Sequence, residues 1–171
     1  MPNPSPSLLP STLLLPGIAH AAADVLTAMR DHLVSVGVVR KPSVAGSQPL
    51  MWLEPMQGLR GPKKANDPNI HPTEDSTDLV LGAYVTGGVA PGRFESWWRQ
   101  PIVDVRYRGW DVRSIQRTEL AISYALIDKV DWTMGGLQVV ESEQWRALQR
   151  LGSDDQGYEF VSSYRFVLYR T

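Results

Sequence analysis

The chain has 171 residues, of which 43% are hydrophobic and 20% charged, proportions typical of one folded domain with a real core. Its 17 basic and 18 acidic side chains leave a formal net charge of −1, which gives no electrostatic reason to expect a sequence-independent grip on nucleic acid. Cysteine is absent, which excludes disulfides, thiolate metal sites and a cysteine nucleophile, and no run approaches the ~20 apolar residues of a membrane span.

The N-terminal stretch, residues 1–16, reads MPNPSPSLLPSTLLLP and carries no charged side chain. Because proline fixes φ and removes backbone donors, we expect a proline-rich extended arm here and a single domain over 17–171. The apolar and small residues near this end resemble a secretory signal. No Lys or Arg precedes Arg30, however, and prolines interrupt the apolar run, so we expect no export.

The first helix is predicted over about 17–36, where apolar residues recur at steps of three and four. Apolar runs then predict strands at 50–53 and 77–86. Between these strands, residues 56–76 contain prolines, glycines and charges of both signs. A structureless interval of this length is uncommon inside a compact domain, so we expect a projecting loop that is ordered only against a partner.

The stretch from 101 to 129 organises the rest of the chain. Residues 102–108 alternate apolar and charged side chains, the period of two that a half-buried strand requires. The apolar positions are Val103, Val105 and Tyr107, and the charged positions are Asp104, Arg106 and Arg108. Gly109 then allows a change of direction, and Asp111 is placed to accept the first free N–H groups of a following helix.

The helix predicted after Asp111 has two apolar strips. The first strip is interrupted by Glu119 and comprises Val112, Ile115, Ile122, Leu126 and Val130. The second strip comprises Leu120, Tyr124 and Ile127 and lies ~100° or more around the helix from the first. One strip must cover the sheet. The other needs a second partner, which is either the first helix of the same chain or a neighbouring subunit.

The C-terminal part is predicted to contain extended pieces at 131–134 and 137–140, a short helix over 142–151, a turn at 154–157 and a long strand over 158–169. The element order then indicates an α+β domain. We expect a largely antiparallel sheet of four to five strands with helices packed mainly on one face.

The sequence contains no recognisable motif for catalysis or metal binding. His20, His32 and His71 lack the spacing of a helical zinc site, and surface or satisfied histidines are the simpler interpretation. Residues 58–64 superficially resemble a phosphate loop but have the wrong spacing and no following Ser or Thr. Asp154 and Asp155 fit a turn better than a calcium loop. We therefore expect no enzymatic activity, no cofactor and no metal.

Tryptophan is abundant, with six residues in the chain. The adjacent Trp97 and Trp98 cannot both face the core in a regular helix or strand unless a second surface covers one of them. Tryptophan is favoured at the centre of protein interfaces. Two interpretations stay open: the pair lies in a contact with another subunit, or both rings lie partly buried on their own domain.

The order of these segments resembles the tail terminator family of long-tailed phages, also described as tail-completion or minor capsid proteins. The resemblance covers about 17–170 and is clearest from 101 onwards. It rests on an N-terminal helix, the strand PIVDVRYRG running into a helix, and a C-terminal block, EQWRALQRLGSDDQGYEF, followed by a strand that ends in FVLYR.

The resemblance implies a structural virion protein with an α+β fold and no enzymatic residues. Members of the family form a hexameric ring that caps the finished tail tube and joins it to the head connector, so the expected partners are other copies of the chain, the tail tube protein and the connector. DNA would pass through the ring without specific binding. The expected location is the head–tail junction of the virion, after assembly in the host cytoplasm.

Two surfaces follow as hypotheses. The contact between subunits is assigned to Trp97, Trp98, Leu120, Tyr124 and Ile127. The contact with the tail tube or connector is assigned to the basic loop residues Arg60, Lys63 and Lys64.

Three rival interpretations stay open. A head-closure or other connector ring protein cannot be separated from a terminator by sequence. A small nucleic-acid-binding α+β module would need a basic face, which Arg106, Arg108 and Arg165 could form if their strands are neighbours. An enzyme with an unrecognised site would need a cluster of titratable groups in a pocket.

Overall fold

The computed structural model describes residues 18–42, 44–53, 79–89, 98–155 and 157–169; the predicted arm at 1–16 and the predicted loop at 56–76 lie outside these ranges. The described residues form two helices and six strands in the order α1 (Ile18–Ser35), β1 (Leu50–Leu53), β2 (Leu79–Val89), β3 (Trp98–Gly109), α2 (Val112–Leu126), β4 (Lys129–Met134), β5 (Leu137–Asp154) and β6 (Gly157–Tyr169).

The six strands form one sheet in the order β1-β2-β3-β6-β5-β4. β1 runs parallel to β2, whereas the β2–β3, β3–β6, β6–β5 and β5–β4 pairs are all antiparallel. The sheet is therefore mixed, with β1 at one edge and β4 at the other.

The predicted fold class is wrong. The structure is mostly β, with a curled mixed sheet of six strands in place of a largely antiparallel sheet of four to five strands with helices on one face. The predicted short helix at 142–151 is the main source of the error, since these residues lie inside β5. The two extended pieces predicted at 131–134 and 137–140 are confirmed as β4 and the beginning of β5.

β5 is irregular because it holds more residues than the strand beside it. Its 18 residues face the 13 residues of β6, and the pairing register shifts at four places along the strand. Each β-bulge adds a residue to one strand, bends it and increases its twist. A shift of one residue also exchanges the two faces of the strand, so β5 lacks the simple alternation by which a strand is recognised in sequence.

The central strand and the helix cap are confirmed. Val103, Val105 and Tyr107 of β3 are fully buried on one face of the sheet. Asp111 has extended backbone angles, φ −113° and ψ 115°, and its carboxylate accepts hydrogen bonds from the backbone N–H groups of Arg113 and Ser114 at 3.1 and 3.0 Å. Hydrogen bonds from the Ser114 hydroxyl and these N–H groups lower the pKa of Asp111, as expected for a carboxylate at a helix N-terminus.

Both helices contribute to one hydrophobic core with this face of the sheet. α1 packs against β1, β2, β3 and β4, and α2 packs against β3, β5 and β6. Among the helix residues whose side chains the structure describes, the fully buried ones are Met29 and Leu33 of α1 and Ile115, Ile122 and Leu126 of α2. The first apolar strip predicted for α2 therefore faces the core at Ile115, Ile122 and Leu126. Val130 was predicted to belong to it but lies beyond the helix, in β4, and is exposed.

α1 also lies against the turn that joins β4 to β5. Gly135 in this turn has φ +53°, and a Cβ added to it would lie 2.6 Å from the Cα of Ala28 in α1. A residue without a side chain is required here because two backbones approach this closely. The curl of the sheet thus brings the β4 edge up to the same helix that covers β1, β2 and β3.

Candidate functional site

The outward side of α2 carries large apolar groups. Leu120 is 51% exposed and Tyr124 is 74% exposed. Arg113 and Arg117 are exposed one and two turns earlier on the same side of the helix. We call these four residues the α2 patch: it is basic towards the helix N-terminus and apolar towards the C-terminus.

Ile127 does not belong to the α2 patch. The helix ends at Leu126, and Ile127 takes extended backbone angles of φ −94° and ψ 165° while its N–H donates to the Ser123 carbonyl at 2.8 Å. Its side chain is partly buried against the core. Helical spacing grouped Ile127 with Leu120 and Tyr124 in the sequence, but the helix ends one residue before Ile127, so this residue does not share their face.

α1 meets α2 at the C-terminal end of α2, where carbonyl groups lack helical partners. The Nε2–H of His32 donates to the Ala125 carbonyl at 3.2 Å, and the Ser142 hydroxyl donates to the Leu126 carbonyl. The His32 ring also meets the Trp132 ring edge-on, with 5.0 Å between the ring centroids. This contact leaves Leu120 and Tyr124 exposed, so the second strip is not buried by an intrachain helix contact.

The environment of His32 favours the neutral imidazole. Partial burial lowers its pKa, the hydrogen bond to Ala125 opposes that change, and the nearby ammonium of Lys129 lowers the pKa further. His32 is therefore a satisfied structural histidine that docks α1 on α2.

A chain of polar side chains crosses the core beneath the α2 patch and explains why Glu119 interrupts an apolar strip. Its links are Tyr107 to Ser162 at 2.9 Å, Ser162 to Tyr164 at 3.3 Å, Tyr164 to Ser123 at 3.1 Å, Ser123 to Glu119 at 2.9 Å and Gln144 to Glu119 at 2.6 Å. Burial raises the pKa of Tyr107 well above its ordinary value. These bonds fix the rotation of α2 on the sheet, because buried hydroxyls are costly to leave unpaired.

The opposite face of the sheet is polar, and we call it the polar face. On it, Arg106 of β3 pairs in register with Val161 of β6, and Arg108 pairs with Glu159. Arg165 lies on the same face in register with Glu143 of β5. The three arginines singled out in the sequence therefore do share one face. The nucleic-acid alternative depended on this arrangement.

Each of these arginines contacts a carboxylate. Arg106 Nη1 lies 3.3 Å from Glu159 Oε1, Arg165 Nε lies 2.8 Å from Glu143 Oε1, and Arg108 pairs with Asp154. The buried Asp104 accepts hydrogen bonds from Ser163 Oγ at 2.6 Å and Thr86 Oγ1 at 3.1 Å. These three arginines are thus joined to acidic partners and are not free cations.

The other residues predicted to form contacts lie wholly or partly outside the described part of the chain. Trp97 and the loop residues Arg60, Lys63 and Lys64 lie outside the described residues, as does His71. The backbone of Trp98 opens β3 and pairs with Tyr169 of β6, and its side chain lies outside the described part. The interface hypothesis therefore rests on Leu120 and Tyr124.

The carboxylate partners on the polar face were missed in the sequence. Glu159 and Arg165 are visible as polar positions in the last strand. Their partners were not predictable from spacing, because pairing depends on strand order and because Glu143 belongs to a bulged strand that was predicted as helix.

No family model matches the chain, and no curated protein matches it either. Among the described residues, no group of three His, Asp or Glu side chains could hold a metal ion. No helix in this part of the chain is long and apolar enough to cross a membrane.

Proposed function

We propose that this chain is a structural virion protein: the tail terminator, which forms a hexameric ring, caps the finished tail tube and joins it to the head connector. It acts without enzymatic chemistry or a cofactor at the head–tail junction. The proposal starts from the resemblance of residues 17–170, strongest in the strand and helix from 101 onwards. It is supported by two surfaces of the structure.

The observation that carries the proposal is the α2 patch. Closed rings of identical subunits use heterologous contacts, in which one patch meets a different patch on the next copy. Leu120 and Tyr124 offer apolar area on the outside of a helix whose other side is locked into the core. Large apolar side chains grouped on a surface mark interaction sites, and a ring neighbour would cover them.

The polar face supports the second half of the proposal, that DNA passes without being held. Clustered free Lys and Arg would bind the phosphate backbone at any sequence. Here the arginines contact carboxylates at 3.3 Å and 2.8 Å. This pairing also disfavours a nucleic-acid-binding module, the rival that needed these side chains free.

The test is assembly of the purified full chain, followed by native mass spectrometry and negative-stain microscopy over a range of concentrations. We expect sixfold particles. Leu120→Ser and Tyr124→Ser should each raise the protein concentration required for assembly by about fivefold or more, since a buried interface anchor contributes more than ~1 kcal/mol. Leu151→Ser is the matched control, because Leu151 is also 51% exposed but belongs to β5 and not to α2.

The same assay with tail tubes or with head connectors separates a terminator from a head-closure protein. Rings that form or bind on tail tubes support the terminator, whereas rings that bind connectors alone support the head-closure alternative. A chain that stays monomeric at all concentrations, with and without tubes and connectors, would refute the ring.

A further inference from the structure

Two arginines of the polar face are each held between a carboxylate and an aromatic ring. The guanidinium of Arg106 lies 3.3 Å from Glu159 and 5.4 Å from the centre of the Tyr84 ring. The guanidinium of Arg165 lies 2.8 Å from Glu143 and 5.4 Å from the centre of the Trp145 ring. The same arrangement thus occurs twice on one face.

Both arginines are reachable from solvent. The side chain of Arg106 is 39% exposed and that of Arg165 is 24% exposed. Trp145 is itself 52% exposed. Exposed arginine next to an aromatic ring is the combination with which proteins bind nucleic-acid backbones and bases.

The carboxylates oppose that use in two ways. Glu143 and Glu159 each lie beside one nitrogen of a guanidinium group that would bind phosphate, and their negative charge repels an approaching polyanion. Further carboxylates lie on the same face, among them Asp104, which accepts from hydroxyl groups, and Asp154, which pairs with Arg108. The network therefore offers phosphate no net positive charge.

We propose that Glu143 and Glu159 silence a latent DNA-binding surface formed by Arg106 and Arg165 with their aromatic neighbours. The silencing lets duplex DNA run past this face without being retained. Its purpose rests on the proposed function, in which DNA crosses the ring, but the silencing itself is a property of the single chain. It assigns the two glutamates a role beyond stability, because exposed ion pairs stabilise a fold by only ~0–1 kcal/mol.

The test compares wild type with a double variant that carries both Glu143→Gln and Glu159→Gln. Binding is measured by fluorescence anisotropy with a labelled DNA duplex of random sequence. Two freed arginines would add about −1.8 to the slope of log affinity against log salt, at ~−0.9 per phosphate contact. We therefore expect binding that wild type lacks at low salt, and a loss of roughly tenfold in affinity between ~50 and ~200 mM salt.

The matched control is Asp128→Asn with Asp131→Asn, which removes the same number of negative charges from a chain of net charge −1. Both positions have positive φ, at 56° and 49°, and asparagine tolerates this conformation. Asp131 accepts a hydrogen bond from the Tyr169 hydroxyl at 3.1 Å, which the amide oxygen of asparagine can also accept. We expect the control to bind no better than wild type. Each single glutamine variant should give about half of the added slope.

Three results would overturn the inference: a folded double variant that does not bind, a control that binds equally well, or wild type that already binds. Should the double variant fail to fold, the single variants carry the same test. Assembly of the wild-type chain is measured separately, so a wild type that forms no ring, together with a double variant that gains DNA binding, would refute only the proposed function. Intact rings without gained binding would refute only the silencing.

Discussion

Gly135→Ala is expected to loosen α1 from the sheet. Gly135 lies in the β4–β5 turn, and a Cβ there would lie 2.6 Å from the Cα and 2.8 Å from the carbonyl carbon of Ala28. Carbon atoms prefer ~3.5–4.0 Å, so the turn and α1 must move apart. Gly136 next to it also has positive φ, +94°, but a Cβ there meets nothing within 4 Å.

The two glycines separate backbone strain from steric overlap. A left-handed backbone costs an ordinary residue about 1–2 kcal/mol, and overpacking a close contact costs about 1–3 kcal/mol more. We therefore expect Gly135→Ala to lower the free energy of unfolding by about 2–5 kcal/mol. Gly136→Ala should lower it by about 1–2 kcal/mol, from backbone strain alone.

Urea denaturation followed by circular dichroism measures both values, provided that the m-value is unchanged. Ala28→Gly should not rescue Gly135→Ala, because the atoms that clash belong to the backbone of Ala28. Equal destabilisation by the two alanine variants would refute the close approach, and so would rescue by Ala28→Gly.

Three further predictions concern the core and the helix contact. Tyr164→Phe should lower the free energy of unfolding by about 1–2 kcal/mol in urea, since two hydroxyl contacts are lost while both serine partners keep another bond. Burial lowers the pKa of His32 below 6.5, so the unfolded chain binds a proton first. The contribution of His32 to the free energy of unfolding should be complete above about pH 6.5 and fall below it. Urea denaturation at several pH values measures this dependence, which His32→Gln should remove. Burial raises the pKa of Tyr107 well above 10.0; stability should therefore hold below pH 10.0 and fall above it, with tyrosinate absorbance rising only as the circular dichroism signal is lost.

Local patterns predicted the elements whose signals are short in range. The alternation in 102–108 identified β3, and the cap at Asp111 set the beginning of α2. Helical spacing also placed Leu120 and Tyr124 on a second apolar strip. It left open whether the first helix or a neighbouring subunit covers that strip, and the structure leaves both side chains exposed.

β5 could not be predicted in the same way. Residues 143–148 of this strand form a run rich in helix-forming residues, such as Glu143, Arg146 and Leu148. The four register shifts also remove the alternation of apolar and polar side chains that identifies a strand. The run is nevertheless held as a strand because β6, a strongly apolar neighbour, pairs along its length. Tertiary pairing thus overrides local propensity.

The order of the strands in the sheet could not be predicted from local sequence patterns either, and the ion pairs of the polar face depend on that order. Arg106 meets Glu159 only because β3 lies next to β6, and Arg165 meets Glu143 only because β5 lies on the other side of β6. The sequence shows a near-zero net charge, but it does not show whether opposite charges are segregated or paired. That difference decides between a nucleic-acid-binding face and a silent one.

α2 links the interior of the domain to its proposed contact. Ile115 and Ile122 anchor the helix in the core, and the bonds of Glu119 and Ser123 fix its rotation. Leu120 and Tyr124 are therefore presented at a fixed angle, and ring closure would have to order little more than their side chains. Because closure of a ring requires the same angle at every contact, a patch on a helix locked in this way suits a ring better than the same residues on a loop would.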